Sequence, residues 1–158
     1  MSREYTFYDE WDVAAPIEAV HSALADSRTY PQWWRPVYIS VEADGQPREG
    51  LVARHHFKGK LPYTLRTSWE ITRYQPPDRL DVAVEGDLTG RGVWQLSERG
   101  GNVHVSFDWR VLADKPVLRL FTPVLRPLFR WNHNWSIERA REGLEPFARE
   151  TRPNAPRS

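Results

Sequence analysis

Apolar side chains recur along this chain with two different periods, and the change between them divides it into parts. Tyr5, Phe7, Trp11 and Val13 share one parity and Thr6, Glu10 and Asp12 the other, with Asp9 the one polar residue on the apolar side. An alternation of this kind predicts a half-buried first strand. Pro16 suits the first turn of a helix, and Ile17, Val20, His21 and Leu24 then follow at helical spacing as far as Asp26. Ser27 can cap a second short helical turn, Arg28 to Trp33, before Pro36 interrupts it.

Period-2 patterning returns over 37–43, 51–58, 63–74, 79–86, 88–98 and 103–112, punctuated by Asp44-Gly45, Lys58-Gly59, Pro76-Pro77-Asp78, Gly86-Asp87 and Gly100-Gly101. Strands this close, joined by turns this tight, predict an antiparallel meander. In the last of them Val103, Val105, Phe107, Trp109 and Val111 oppose His104, Ser106, Asp108 and Arg110, so one sheet face is dry and the other meets water. Beyond Lys115-Pro116 the period becomes helical. Leu120, Phe121, Val124, Leu125, Leu128, Trp131, Trp135, Ile137, Leu144 and Phe147 form the apolar stripe. Pro123 and Pro127 lack amide hydrogens, so a short turn at 117–121 and regular helix only from about Pro127 to Arg149 are expected. Residues 151–158 read as a loose tail. The pattern is α+β: a seven-stranded antiparallel sheet with one apolar face, two short helices after its first strand, and a long C-terminal helix whose stripe must cover that face.

Length and composition narrow the class. The 158 residues suit one domain, here 1–150, burying roughly 70% of the surface its unfolded chain exposes. No apolar run is long enough to span a bilayer, so no stable membrane insertion is expected. Zero Cys removes disulfides, thiolate metal sites and cysteine nucleophiles, and with no signal-like start it favours a cytoplasmic location. The net charge of +1 gives no global attraction for nucleic acid, although residues 115–158 carry +5 against −4 for the rest. That basic segment reads as a helix face paired with an acidic sheet rim, or as a surface for an anionic ligand or membrane, with Arg119 to Arg130 flanked by Leu120, Phe121 and Leu125 as the docking candidate.

Val13-Ala14-Ala15-Pro16-Ile17-Glu18-Ala19-Val20, Tyr30-Pro31-Gln32-Trp33-Trp34, Gly90-Arg91-Gly92-Val93-Trp94-Gln95-Leu96, and Trp131-Asn132-His133-Asn134-Trp135 before Gly143-Leu144 stand in an order that resembles the START-related superfamily SRPBCC. The likeness is to its polyketide cyclase/dehydrase and lipid-transport branch, and covers about residues 4–149. It implies a helix-grip fold with an apolar cavity between sheet and final helix, used by different members for lipids, polyketides, hormones or other hydrophobic metabolites. Aromatase/cyclase members use inward Arg, Tyr and Asn side chains, to which Arg73, Tyr38 and Asn132 loosely correspond.

A twisted sheet crossed by a straight helix also leaves flanking space on geometric grounds alone. The predicted lining is Trp69, Trp94, Phe107, Trp109, Leu128, Trp131 and Trp135, with His55 and Phe57 on the same parity as Leu51 and Ala53. His55 either lines the cavity or is a buried, hydrogen-bonded histidine. His55 and His56 point to opposite faces and cannot share a metal, so neither metal nor cofactor is expected. The candidates for chemistry are Asn132 and His133, beside Trp131 and Trp135 on the stripe, and Arg73. If inward, Arg73 needs an anionic partner, but it lies near a strand end where solvent is the better solvation. Tyr38 has the parity opposite to Val37, Ile39 and Val41 and is expected to face out. No nucleophile elbow, zincin helix or phosphate-binding glycine loop occurs. The expected partner is therefore a small hydrophobic ligand, aromatic, polyketide-like or acyl. It is either bound or, in the alternative, cyclised or dehydrated after a carbonyl is polarised in the cavity. Lipid carriage is the weaker alternative.

Overall fold

The computed structural model describes residues 4–58, 64–113 and 122–150. Strand β1 (Glu4–Val13) leads into helix α1 (Ile17–Ala25), a 3-10 turn (Ser27–Thr29) and the short helix α2 (Tyr30–Trp33). Six strands follow: β2 (Tyr38–Ala43), β3 (Val52–Lys58), β4 (Thr64–Gln75), β5 (Arg79–Gly86), β6 (Leu88–Arg99) and β7 (Asn102–Ala113). Helix α3 (Thr122–Glu150) closes the chain. The sheet is seven-stranded and antiparallel throughout, in the order β1-β7-β6-β5-β4-β3-β2, so the first strand pairs with the last and β1 and β2 form the edges. This is the expected helix-grip architecture.

The dry face is the one the alternation selects. Val103, Val105, Phe107, Trp109 and Val111 of β7 are buried, as are Leu80, Val82 and Val84 of β5. Helix α1 covers one end of that face with Ile17, Val20 and Leu24, and His21 Nε2 lies 3.1 Å from the Arg79 carbonyl. The Tyr30 hydroxyl donates to the Leu24 carbonyl at 2.6 Å, and Trp34 Nε1 to the Ser136 carbonyl at 2.8 Å, so α2 is fixed to both α1 and α3.

The exposed edge of β1 is tied to α3 by side chains that satisfy its backbone. Glu145 Oε1 accepts from the Ala14 amide at 2.7 Å, Arg149 Nε donates to the Ala14 carbonyl at 2.7 Å, and Arg141 donates to the Glu10 carbonyl at 3.2 Å. Arg139 pairs with Glu142 and Arg141 with Glu138 along the helix itself. These contacts engage three of the nine basic residues in 115–158, Arg139, Arg141 and Arg149. Most of the Arg119–Arg130 segment, the turn expected at 117–121 and the tail at 151–158 lie outside the described residues.

Three local expectations are corrected. Helix α3 begins at Thr122 and runs through Pro127 and Pro146, each removing one amide hydrogen without ending the helix. The inward face of α3 consists of Phe129, Asn132, His133, Ser136, Ile137, Ala140, Leu144 and Ala148, whereas Leu128 and Trp131 are 44% and 50% exposed. Trp131 lies about 200° around the helix from His133. Across the helix contact the tryptophan and phenylalanine rings of the sheet meet a mixture of Ala140, Ala148, Asn132 and Ser136 with the larger Phe129, His133, Ile137 and Leu144. The third correction concerns two bulges. Register shifts between Tyr38 and Ser40 and between Ile71 and Arg73 break the parity count in β2 and β4. As a result Tyr38 is buried and Ile39 is 45% exposed. Arg73 faces solvent, as its place near the strand end leads one to expect, and pairs with Asp81 at 3.9 Å.

Candidate functional site

Between the sheet and α3 lies a cavity of about 120 Å³. Its floor is Trp69, Phe107 and Trp109, with centroids 5.2 Å apart for the tryptophan pair and 5.5 Å for Phe107 and Trp109. Gly92 underlies this floor, since an added Cβ would stand 3.1 Å from both Phe107 Cε1 and Trp109 Cε3. Tyr5 and Phe7 of β1 form one wall, with Trp34, Val37 and Tyr38 opposite, and α3 contributes Phe129, Asn132, His133, Ser136 and Ile137. Phe57 and exposed Lys58 of β3 border it as well.

Few polar groups meet this apolar enclosure. The Tyr38 hydroxyl makes no hydrogen bond among the described residues, although the residue is 6% exposed. Burial raises the pKa of this phenol well above the ordinary tyrosine value, with Tyr30 adding to the effect, so it remains a donor. His133 Nε2 lies 2.6 Å from Asp9 Oδ2. The His133 ring stacks on Phe7 with centroids 3.9 Å apart and planes 12° from parallel. Asp9 is thus explained: the polar residue on the apolar parity of β1 faces inward because α3 brings it a histidine.

The predicted site residues divide accordingly. Trp69, Phe107, Trp109, Phe57, Asn132 and His133 come together around the cavity. Trp94 does not line it, being fully buried beneath Phe107 with ring centroids 3.8 Å apart. Leu128 and Trp131 lie outside on α3, and half-buried Trp135 stands under the Arg139 guanidinium at 5.6 Å instead of in the lining. Arg73 is remote from the cavity. His55 is the buried, bonded histidine of the two readings: Nε2 is 3.0 Å from Ser27 Oγ, and the ring packs on Trp69 at 4.4 Å. Burial lowers its pKa to about 3, which keeps it neutral. Parity alone identified Tyr5 and Phe7 as inward but did not place them at the cavity. Trp34 belongs to the Tyr30–Trp34 motif, and Tyr38 was hidden by its bulge.

Among the described residues no group of three or more His, Cys, Asp or Glu side chains is placed to hold a metal ion. No described helix is long and apolar enough to cross a membrane.

The fold is similar to that of TTHA0849 from Thermus thermophilus, with 19% identity over 91% of this chain and 97% of that one and a TM-score of 0.75. It is similar to Ms6760 from Mycobacterium smegmatis, with 17% identity over 85% and 87% of the two chains and a TM-score of 0.60. It is also similar to the di-domain ARO/CYC BexL of the BE-7585A biosynthetic pathway, with 17% identity and a TM-score of 0.66, the match covering 97% of this chain but 51% of BexL. No curated protein shows significant sequence similarity to it. The family model described as polyketide cyclase / dehydrase and lipid transport matches residues 5–150, and the chain belongs to that family.

Proposed function

We propose that this protein binds a small, flat, hydrophobic molecule carrying a carbonyl group, aromatic or polyketide-like, in the cavity between sheet and α3. The observation that carries this reading is the Tyr38 hydroxyl, which makes no hydrogen bond among the described residues, on an otherwise aromatic-walled space. A ligand carbonyl oxygen accepting from this hydroxyl would gain a hydrogen bond worth about 0.5–1.5 kcal/mol net. The walls supply affinity through apolar burial at about 25 cal/mol per Å² before ordering costs. As to size, a cavity of roughly 150 Å³ in another protein admits benzene, so about 120 Å³ suits a guest of one ring, or two with small side-chain shifts. The absence of cysteine supports action in the cytoplasm.

A second reading, cyclisation or dehydration of a carbonyl-rich substrate in the same cavity, is favoured by the Asp9–His133 contact. The likeness to ARO/CYC proteins supports both readings.

Titration with 2-tetralone, a fused-ring ketone, followed by quenching of intrinsic tryptophan fluorescence, tests the binding reading. Saturable quenching is expected, weakened in Trp69→Phe. Native mass spectrometry of the purified protein should reveal a co-purified apolar compound of similar size. Absence of saturable quenching would sink the reading.

A further inference from the structure

We propose that the wet face of the sheet over β2, β3 and β4 carries a second site, which takes the phosphate group of a phosphomonoester. Arg54, His56 and Arg66 hold it, with the hydroxyls of Ser40 and Ser68. The site is separate from the apolar cavity and independent of the binding reading above. Ala53 and His55 of β3 and Thr67 and Trp69 of β4 are buried on the dry side. Alternation therefore sets Arg54, His56, Arg66 and Ser68 on the opposite face. A hollow of about 230 Å³ opens there, and Ser40, Glu42, Arg54, His56, Arg66 and Ser68 are among the residues lining it. His56 and Ser68 are half-buried, whereas the two arginines are exposed.

Strand register brings these side chains together. Ser40, His56 and Arg66 occupy one row across the three strands, and Glu42, Arg54 and Ser68 the next. Since Lys58 pairs with Thr64, Arg66 stands diagonal to Arg54 on one side and to Lys58 on the other. Like charges at that range repel one another, which a sheet built for stability alone would avoid.

The neighbouring carboxylates do not neutralise the cluster. Glu42 pairs with Arg54 at 3.2 Å, and Asp87 Oδ2 accepts from the Arg66 backbone amide at 2.9 Å. Glu85 lies opposite Ser68 on β5, outside the lining. The Arg66 guanidinium and the His56 imidazole have no hydrogen bond or ion pair among the described residues, and the Ser40 and Ser68 hydroxyls have none either. The hollow thus gathers two guanidiniums against one carboxylate, with an imidazole and two hydroxyls beside them.

This donor set selects the ligand. A guanidinium presents a rigid fork of N–H groups that meets two oxygens of a phosphate at once, and hydroxyl and imidazole groups add single bonds. A carboxylate has two oxygens and leaves part of the set unused. A phosphomonoester has three terminal oxygens and up to two negative charges, which match both the number of donors and the excess of cations.

The test is calorimetric titration with glycerol 3-phosphate at low salt, together with flotation on phosphatidylcholine vesicles carrying either phosphatidic acid, a monoester, or phosphatidylglycerol, a diester. Saturable binding of glycerol 3-phosphate marks a soluble ligand. Flotation on phosphatidic acid alone, without that binding, marks a lipid headgroup; either result supports the site. Arg66→Gln is expected to weaken the response at least about 10-fold and Arg54→Gln several-fold, with melting temperatures unchanged. Arg91→Gln, an exposed arginine of β6 outside the hollow, should leave it intact. Glycerate, with a carboxylate in place of the phosphate, should bind at least about 10-fold more weakly than glycerol 3-phosphate. The site is overturned if neither probe binds, if Arg91→Gln costs as much as Arg66→Gln, or if glycerate or phosphatidylglycerol serves equally well. These last results would reduce the cluster to a diffuse surface charge, and none of them bears on the cavity.

Discussion

Gly143 of α3 stands directly against the backbone carbonyl of Trp33, so closely that a Cβ at position 143 would overlap the oxygen. The helix can approach α2 this nearly only because residue 143 has no side chain, and the Trp34–Ser136 bond two turns earlier depends on the same approach. Alanine normally favours a helix over glycine by about 1 kcal/mol. Here the clash is with backbone and cannot be relieved by a rotamer. Gly143→Ala is therefore expected to destabilise the protein by about 2–3 kcal/mol, read as a lower melting temperature. An unchanged or raised melting temperature would show that the contact does not govern the packing.

That contact illustrates what the sequence could and could not disclose. Alternation identified the sheet, its dry face and Phe107 and Trp109 because β7 runs without a bulge from Val103 to Val111. It failed at Tyr38 and would have turned Arg73 inward, because one extra residue in β2 and in β4 reverses parity and leaves no mark on composition. Helical spacing found α3 but rotated its inward face, since bulky Trp131 and Leu128 outweigh Ala140 and Ala148 in any count of hydrophobicity. Which face turns inward was decided by the rings it meets. Asp9 was visible as the break in β1 alternation, and its partner was not, because 124 positions separate the two.

Gly92 sets the depth of the cavity floor. A methyl group there would stand 3.1 Å from Phe107 Cε1 and Trp109 Cε3 and 3.2 Å from Val82 Cγ2, closer than packed carbons tolerate. The rings must rise into the cavity to admit it. Gly92→Ala is expected to cost about 1–2 kcal/mol in stability and to weaken 2-tetralone binding several-fold, measured by thermal melting and fluorescence titration. Affinity equal to wild type would place the ligand elsewhere.

His55 makes the fold acid-sensitive. Burial lowers its pKa from 6.5 to about 3, so the folded protein resists a charge that the unfolded chain accepts. Its contribution is intact above pH 6.5 and is lost progressively as pH falls toward 3. At pH 4, holding it neutral costs about 3 kcal/mol. His21, whose pKa burial also lowers, acts in the same direction. His104, raised by its bonds to Asp12 and Glu10, has the opposite sign but is too solvated to compensate. His55→Gln should lose less stability than wild type between pH 7 and pH 4, as judged by denaturant unfolding at each pH. Parallel losses in the two proteins would exclude His55 as the origin.

Trp69 and Trp131 should separate the cavity from the helix exterior. Trp69 is 5% exposed on the floor, whereas Trp131 is 50% exposed outside it. Trp131→Ala is expected to leave 2-tetralone affinity within about twofold, a difference below about 0.5 kcal/mol. Trp69→Ala should destabilise the fold by about 3–5 kcal/mol and abolish saturable quenching in whatever fraction remains folded. A ligand that responded to Trp131 instead would have to bind on the outer face of α3.

Tyr38→Phe isolates the hydroxyl from the ring that carries it. In the unliganded protein this hydroxyl makes no hydrogen bond among the described residues, so its removal takes away no bond and leaves the aromatic packing against Trp34 and Phe57 in place. Stability should be unchanged or slightly raised. Binding of a ketone should suffer, because the carbonyl oxygen then enters an apolar enclosure without a donor. Affinity for 2-tetralone is expected to fall about 5- to 10-fold, roughly 1–1.4 kcal/mol, while affinity for the hydrocarbon tetralin stays constant. The comparison is decisive because both ligands bury nearly the same surface and differ at one atom. If Tyr38→Phe weakened both equally, the phenol would act through packing alone; if it weakened neither, the carbonyl would face another part of the cavity, where Tyr5, Lys58, Asn132, His133 and Ser136 are the other polar residues of the lining.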